Sequence, residues 1–313
     1  MPVTPLPVTA LREALTKAAG LLAAAGVDSA DYDARALALH VLGLTRPSEL
    51  GLYDDLTQVQ SEAYDHLVAR RSSRIPLQHL TGSVGFRYLE LEVGPGVFIP
   101  RPETESVVQW VIDVARREAW ASPLLVDLCT GSAAIALALA NEVPGARVHA
   151  VEQDPAALAF ARRNAATRVA AGDPPITLHL GSAHDALPEL AGQVHLVVSN
   201  PPYIPLTEAG ELGPEVADHD PDLALFGGPD GLEVIRQVEQ TARRLLLAGG
   251  YVVVEHADSQ GESCPAVFET AGGWTEVTDH RDLAGRDRFT TARWAPATLG
   301  TASMTPVTSV TAT

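Results

Sequence analysis

Leu124-Leu125-Val126-Asp127-Leu128-Cys129-Thr130-Gly131-Ser132-Ala133 is the stretch that decides the fold. A short apolar run broken by one carboxylate passes through a turn of small residues into Ala134 to Asn141, which reads as a helix. Strand, tight turn and helix in that order open an α/β unit. Arg147 to Val151 reads as a second strand ending in Glu152, Pro155 to Ala171 as a helix, and Ile176 to Leu180 as a third strand. Val194 to Val198 is the fourth. After a long connection come a helix from Leu232 to Leu247, the strand Tyr251 to Glu255, a helix near Ala266, and two strands near Trp274 and Phe289. Such alternation predicts an α/β domain built on a mostly parallel sheet of seven strands, with helices on both faces.

Working toward the N-terminus, residues 1–75 read as a small helical bundle. Leu11, Leu15, Ala18, Ala19 and Leu22 keep a helical period between Thr9, a candidate N-cap, and Gly26. Ala34, Leu37 and Val41 repeat the pattern before Gly43, capped by Ser29 or Asp31; Val59, Ala63 and Leu67 give a third helix. Residues 76–98 change period: Leu89, Leu91 and Val93 alternate with Glu90 and Glu92, which predicts a β-hairpin linker. Phe98-Ile99-Pro100-Arg101-Pro102-Glu103-Thr104-Glu105 then feeds a helix that starts near Pro102 and runs to about Trp120. The catalytic domain is expected over 99–296. The Thr/Ala/Ser-rich tail, 297–313, is expected to be disordered.

Composition narrows the function. A net charge of −17 opposes a phosphate-backbone partner, which calls for a basic surface. No apolar run approaches the roughly 18 residues of a membrane span, and the N-terminal Met1-Pro2-Val3-Thr4-Pro5 lacks the basic start of a signal peptide. Two cysteines make no disulfide framework, so a cytoplasmic location is expected. No Cys/His cluster has metal-ligand spacing, and no metal is expected.

Ligands of open α/β sheets bind at the carboxyl ends of the strands, where strand order reverses. Three segments converge there. The turn Cys129-Thr130-Gly131-Ser132-Ala133 offers backbone N–H groups beside small side chains, and Glu152 is placed to accept from ribose hydroxyls. Ser199-Asn200-Pro201-Pro202-Tyr203 follows the fourth strand as a rigid corner with a side-chain acceptor and an aromatic face. Each alone is a common strand ending. Together they point to methyl transfer from S-adenosylmethionine to a planar nitrogen, with Asn200 and the Pro201 carbonyl as acceptors and Tyr203 over the flat face.

From about residue 10 to residue 295 the chain resembles the PrmC/HemK protein-glutamine methyltransferases. The resemblance is carried by Pro76-Leu77-Gln78-His79-Leu80-Thr81-Gly82, Phe98 to Glu105, Asp127 to Ala133 and Asn200 to Ile204. Asp230-Gly231-Leu232 and Leu283-Ala284-Gly285-Arg286-Asp287-Arg288 extend it. It implies a Rossmann-like class I methyltransferase domain and S-adenosylmethionine held by Asp127, Cys129, Thr130, Gly131, Ser132, Ala133, Glu152, Ala183 and Asn200. Asn200, Pro201, Pro202 and Tyr203 would hold the glutamine of a release factor's Gly-Gly-Gln loop, with the N-terminal helices helping to dock that protein. A related branch acting on a ribosomal protein has Pro-Arg-Ser-Pro where this chain has Pro100-Arg101-Pro102-Glu103, which favours the release-factor branch. Cys129 and Ala133 replace two glycines of the family loop, and Ser182 an aspartate. The replacements are tolerable if Cys129 keeps a negative φ and Ala133 a helical one. The competing expectations are an adenine or guanine methyltransferase acting on nucleic acid and a non-catalytic module that has lost its cofactor.

Overall fold

The computed structural model describes residues 9–296. The expected disordered tail and the Met1–Pro5 stretch lie outside the described residues. The N-terminal part holds β1 (Thr9–Ala10), α1 (Leu11–Ala24), α2 (Ala30–Leu42), β2 (Asp55–Leu56) and α3 (Gln58–Ser72). Leu22, Leu37, Leu56, Tyr64 and Val68 form its core, and the Tyr64 hydroxyl donates to the Ala34 carbonyl at 2.9 Å. Thr9 is not the N-cap expected from the sequence. It pairs with Leu56 as a strand, and Ala10 takes the cap position without a side-chain bond. Thr57 does cap α3: its hydroxyl accepts from Gln60 N while the Gln60 side chain accepts from Thr57 N.

Next come α4 (Leu77–Thr81), which the sequence reading did not anticipate, and the expected hairpin, β3 (Ser83–Phe86) with β4 (Leu89–Glu92). The α/β part follows as α5 (Thr104–Arg117), β5 (Leu124–Leu128), α6 (Ala134–Glu142), β6 (Arg147–Glu152), α7 (Pro155–Ala170), β7 (Thr177–Leu180) and β8 (Val194–Ser199). Two one-turn helices, α8 (Pro214–Ala217) and α9 (Asp222–Leu225), lie in the long connection. The chain closes with α10 (Glu233–Leu245), β9 (Leu246–Glu255), α11 (Ser263–Ala271), β10 (Trp274–Arg281) and β11 (Asp287–Trp294).

Among the described residues the main sheet has seven strands in the order β10-β11-β9-β8-β5-β6-β7. All five residues of β5 are buried, as an interior parallel strand with helices on both faces requires. Successive residues serve opposite layers. Leu125 joins Val107, Val111, Leu139 and Leu158 on one face, while Leu124, Val126 and Leu128 join Ile235, Val238, Leu245 and Phe268 on the other. The chain steps outward from β5 to β6 and β7, then returns to lay β8 on the opposite side of β5. That reversal leaves a crevice at the carboxyl ends of β5 and β8.

Three guanidinium groups join the connection after β8 to the rest of the molecule. Buried Arg71 on α3 donates to Asp33 Oδ2 at 2.6 Å, to the Ile75 carbonyl at 3.2 Å and to Glu215 Oε1 at 3.0 Å. Arg74 donates to both Glu215 oxygens, at 2.6 and 2.7 Å. Farther along, Arg101 donates to buried Asp220 at 2.6 Å. Burial alone would raise the Glu215 carboxyl, but the Arg74 and Arg71 hydrogen bonds outweigh it and pull the pKa down to about 2. A carboxyl lowered in the folded state contributes stability above its free-chain value near 4.5 and loses it as the pH falls toward 2. Glu215→Gln should therefore cost about 1–2 kcal/mol at neutral pH, a partly exposed ion pair being worth less than a buried one. The wild-type advantage should vanish across that acid interval. Unfolding curves of the two proteins that coincide at every pH would contradict the latch.

Candidate active site

The turn after β5 is pinned from three strands. Ser199 Oγ at the end of β8 donates to the Leu128 carbonyl at 2.7 Å, and Thr130 N donates to the Val151 carbonyl of β6 at 3.0 Å. Thr130 Oγ1 reaches back to Asp127 Oδ2 at 2.5 Å. Asp127 is fully buried with Oδ1 unpartnered, and burial pushes its carboxyl up to about 7 against the Thr130 hydrogen bond.

These ties dictate an unusual backbone. Cys129 has φ 61°, Gly131 φ 56° and Ala133 φ 68°. The sequence-based condition on the two replaced glycines is not met: both side chains sit in the left-handed region, at about 1–2 kcal/mol each. The reason lies in the neighbours, because the turn must satisfy Ser199, Val151 and Glu152 together. In return Gly131 N donates to Glu152 Oε2 at 2.8 Å. No atom lies within 4 Å of where a Gly131 Cβ would stand, so the backbone itself faces open space.

Glu152 ends β6 and is 7% exposed. Asp154 N donates to its Oε1 at 2.8 Å. Each oxygen thus accepts one backbone hydrogen bond and keeps a second lone pair. Burial raises this carboxyl, more than the N–H groups of Asp154 and Gly131 lower it.

The Asn200–Tyr203 corner is held from behind. Gln260 Nε2 donates to the Tyr203 carbonyl at 3.0 Å, Ile204 N to the Leu225 carbonyl at 2.9 Å, and Gly227 N to the Ile204 carbonyl at 3.0 Å. Gly231, with φ +73°, permits this: a Cβ there would collide with the Tyr203 carbonyl oxygen and stand 2.7 Å from Gln260 Nε2. Asn200 Nδ2 donates to Thr104 Oγ1 at 3.3 Å, which leaves Oδ1 as its free acceptor.

The two assemblies face one cleft that is open to solvent. Cys129, Thr130, Gly131, Ser132, Glu152, Asn200, Pro202 and Tyr203 line it. Pro201, Asp127 and Ala133 stand behind that lining, and Ala183 is buried in the layer that holds Val197 and Ile235. Sequence reasoning did not single out several other wall residues. Phe98 and Thr104 come from the segment leading into α5, and Leu223 and Leu225 from the connection after β8. The first pair lay inside a quoted motif. For the second, no local signal exists, since an apolar residue in a loop is more often ordinary surface. Among the described residues no group of three or more His, Cys, Asp or Glu could hold a metal ion.

With this geometry in place, comparison with known proteins is informative. Residues 13–82 match the model of the PrmC N-terminal domain and residues 111–213 that of the methyltransferase small domain. A release factor glutamine methyltransferase of Streptomyces coelicolor is 56% identical over 275 residues, covering 88% of this chain and 94% of that protein. The chain belongs to the release factor glutamine methyltransferase family. A member from Mycolicibacterium smegmatis is 51% identical, covering 91% of this chain and 98% of its own length. At 40% identity over 276 residues, covering 86% and 90%, comes a protein of Streptomyces pristinaespiralis with another name, 4-amino-L-phenylalanine/4-methylamino-L-phenylalanine methyltransferase. The mostly parallel seven-stranded sheet is the Rossmann-like class I methyltransferase fold.

Strain at Cys129 has a measurable consequence. Cys129→Gly should raise stability by about 0.5–1 kcal/mol, the relief exceeding the entropy that glycine adds to the unfolded chain, whereas β-branched Cys129→Val should lower it. Denaturant midpoints in the opposite order would refute the assignment. Gly231→Ala should displace the Tyr203 carbonyl and lower the thermal midpoint by several degrees; a midpoint equal to wild type would show that the corner has slack.

Proposed function

We propose that this chain transfers the methyl group of S-adenosylmethionine to the side-chain amide nitrogen of a glutamine in a peptide chain release factor, the glutamine of its Gly-Gly-Gln loop. One observation carries the proposal: a nucleoside-type loop with its carboxylate, and a rigid corner with a free amide oxygen, open on the same cleft in a chain of this family.

The residues present fit the cofactor. The open side of Gly131 and the small side chains of Cys129, Thr130 and Ser132 leave room for an adenosine-bearing group, and the spare lone pairs of Glu152 suit ribose hydroxyls. Bound there, the cofactor supplies an electrophilic methyl group on a sulfonium. The protein's task is the other partner. A carboxamide nitrogen is a poor nucleophile because its lone pair is delocalised into the carbonyl. Asn200 Oδ1 accepts one of its hydrogens and turns the lone pair toward the methyl group, while Tyr203 covers the flat face. Orientation and fixed dipoles do this work, with no reorganisation needed at the moment of transfer. The N-terminal helices, tied through Arg71, Arg74 and Glu215 to the connection that supplies part of the cleft wall, dock the release factor.

A second reading has its own support. The Streptomyces pristinaespiralis relative carries the name of a methyltransferase for an aryl amine, another planar nitrogen whose lone pair is delocalised. The same corner suits such an acceptor. No helix among the described residues is long and apolar enough to cross a membrane.

The deciding experiment supplies labelled S-adenosylmethionine with purified release factor, with the same factor carrying Ala for the Gly-Gly-Gln glutamine, and with 4-amino-L-phenylalanine. Label on the first alone is the expected result; label on the amino acid alone would replace the proposal with the second reading. Asn200→Ala should reduce kcat by about a hundredfold or more while S-adenosylmethionine still binds. Near-wild-type turnover would sink the acceptor mechanism. Glu152→Ala should weaken cofactor binding by about tenfold or more, as loss of hydrogen bonds to a charged acceptor does; an unchanged Kd would remove the ribose assignment.

A further inference from the structure

We propose that Glu255 is a positioning residue that holds the Asn200 carboxamide with Nδ2 turned inward and Oδ1 left for the acceptor nitrogen. The inference rests on the methyl-transfer reading above and adds what orients its central side chain.

Glu255 is the last residue of β9, and β9 runs parallel to β8 with Ser199 opposite Val254. Asn200 follows Ser199 just past the end of β8, as Glu255 follows Val254 at the end of β9, and the Asn200 side chain is among the groups that act on the Glu255 carboxylate. Glu255 is 1% exposed, and its Oε2 has no hydrogen-bond partner. The donors around it are the side chains of Thr104 and Asn200, with the Arg288 guanidinium of β11 beyond. Thr104, 3% exposed, already accepts from Asn200 Nδ2 and keeps its own hydroxyl hydrogen to give. Glu255 lies outside the cleft lining, whereas Thr104 and Asn200 line it. It therefore acts through them.

The physical need is specific. The two ends of a carboxamide have nearly the same shape, so packing alone does not distinguish Oδ1 inward from Nδ2 inward. An ionised carboxylate does, because it only accepts: it attracts Nδ2–H and the Thr104 hydroxyl and repels Oδ1. A turned-over Asn200 would present N–H groups to the hydrogens of the acceptor nitrogen, and alignment would be lost. The groups facing Glu255 are Arg288 from β11, Glu103 from the segment before α5, Tyr203 from the corner, and Thr104 and Asn200. Burial pushes the Glu255 carboxyl up to about 7, against the pull of Thr104 and Arg288. Since the ionised form does the orienting, kcat should rise with pH through the neutral range.

Glu255→Gln keeps the shape but can meet either end of Asn200. It should lower kcat by about tenfold or more, leave KM for the release factor and the cofactor Kd within about twofold, and flatten the rise of kcat with pH. Glu255→Asp should restore part of the rate. Thr104→Val should resemble Glu255→Gln, and the double variant should be no worse than the poorer single one, as members of one chain of bonds behave. Wild-type kcat in Glu255→Gln, equal losses of kcat and cofactor affinity, or additive losses in the double variant would overturn the proposal. If wild-type protein labels no acceptor, that failure belongs to the substrate reading. Glu255 is then judged from the side-chain amide resonances of Asn200 in the cofactor-bound protein: displacement in Glu255→Gln supports it, and unmoved signals reject it.

Discussion

The hydrogen bond from Ser199 Oγ to the Leu128 carbonyl joins the ends of β8 and β5, the strands that lead into the 200–203 corner and the 129–133 turn. Parallel strands that part company at a reversal of order would otherwise leave their last carbonyls exposed in the crevice. Here one serine closes that gap. The turn of residues 129–133 and the corner of residues 200–203 consequently start from a shared anchor, and the distance between them is set by the sheet rather than by either loop.

That arrangement gathers carboxylates where water is scarce. Asp127, Glu152 and Glu255 are all buried at the carboxyl ends of three strands, and burial raises each of them. Isolated charges so placed would be very costly; Asp127 and Glu152 are met by donors, while Asp127 and Glu255 each retain an unsatisfied oxygen. The strained φ values of Cys129 and Ala133 belong to the same trade, since the turn that strains them delivers the Gly131 N–H to Glu152. Stability is given up locally and recovered in the two apolar layers that cover β5.

The N-terminal helices are more than an appendage. Arg71 bonds Asp33 within its own bundle and Glu215 across 144 residues of chain, and the same connection supplies Leu223 and Leu225 to the cleft wall. A protein substrate gripped by the helices would thus bear on a wall of the cleft directly.

Local pattern was enough for much of this. The order of strands and helices, the hairpin, and the positions of Glu152 and Asn200 at strand ends follow from period and turn chemistry, which are properties of neighbouring residues. The quoted motifs sufficed to recognise the family. Three things were decided only by the tertiary structure. The positive φ of Cys129 and Ala133 is imposed by partners on β6 and β8, so no rule about adjacent residues could supply its sign. The connection from Ile204 to Pro229 gains its shape from Arg71, Arg74 and Arg101, contacts whose sequence separation exceeds any local signal. Glu255 looked like one more polar strand ending, and it became a buried neighbour of Asn200 only when β9 was laid against β8. Sequence determines which elements form because their energetics are local; which side chains meet is decided by strand order, a property of the whole chain.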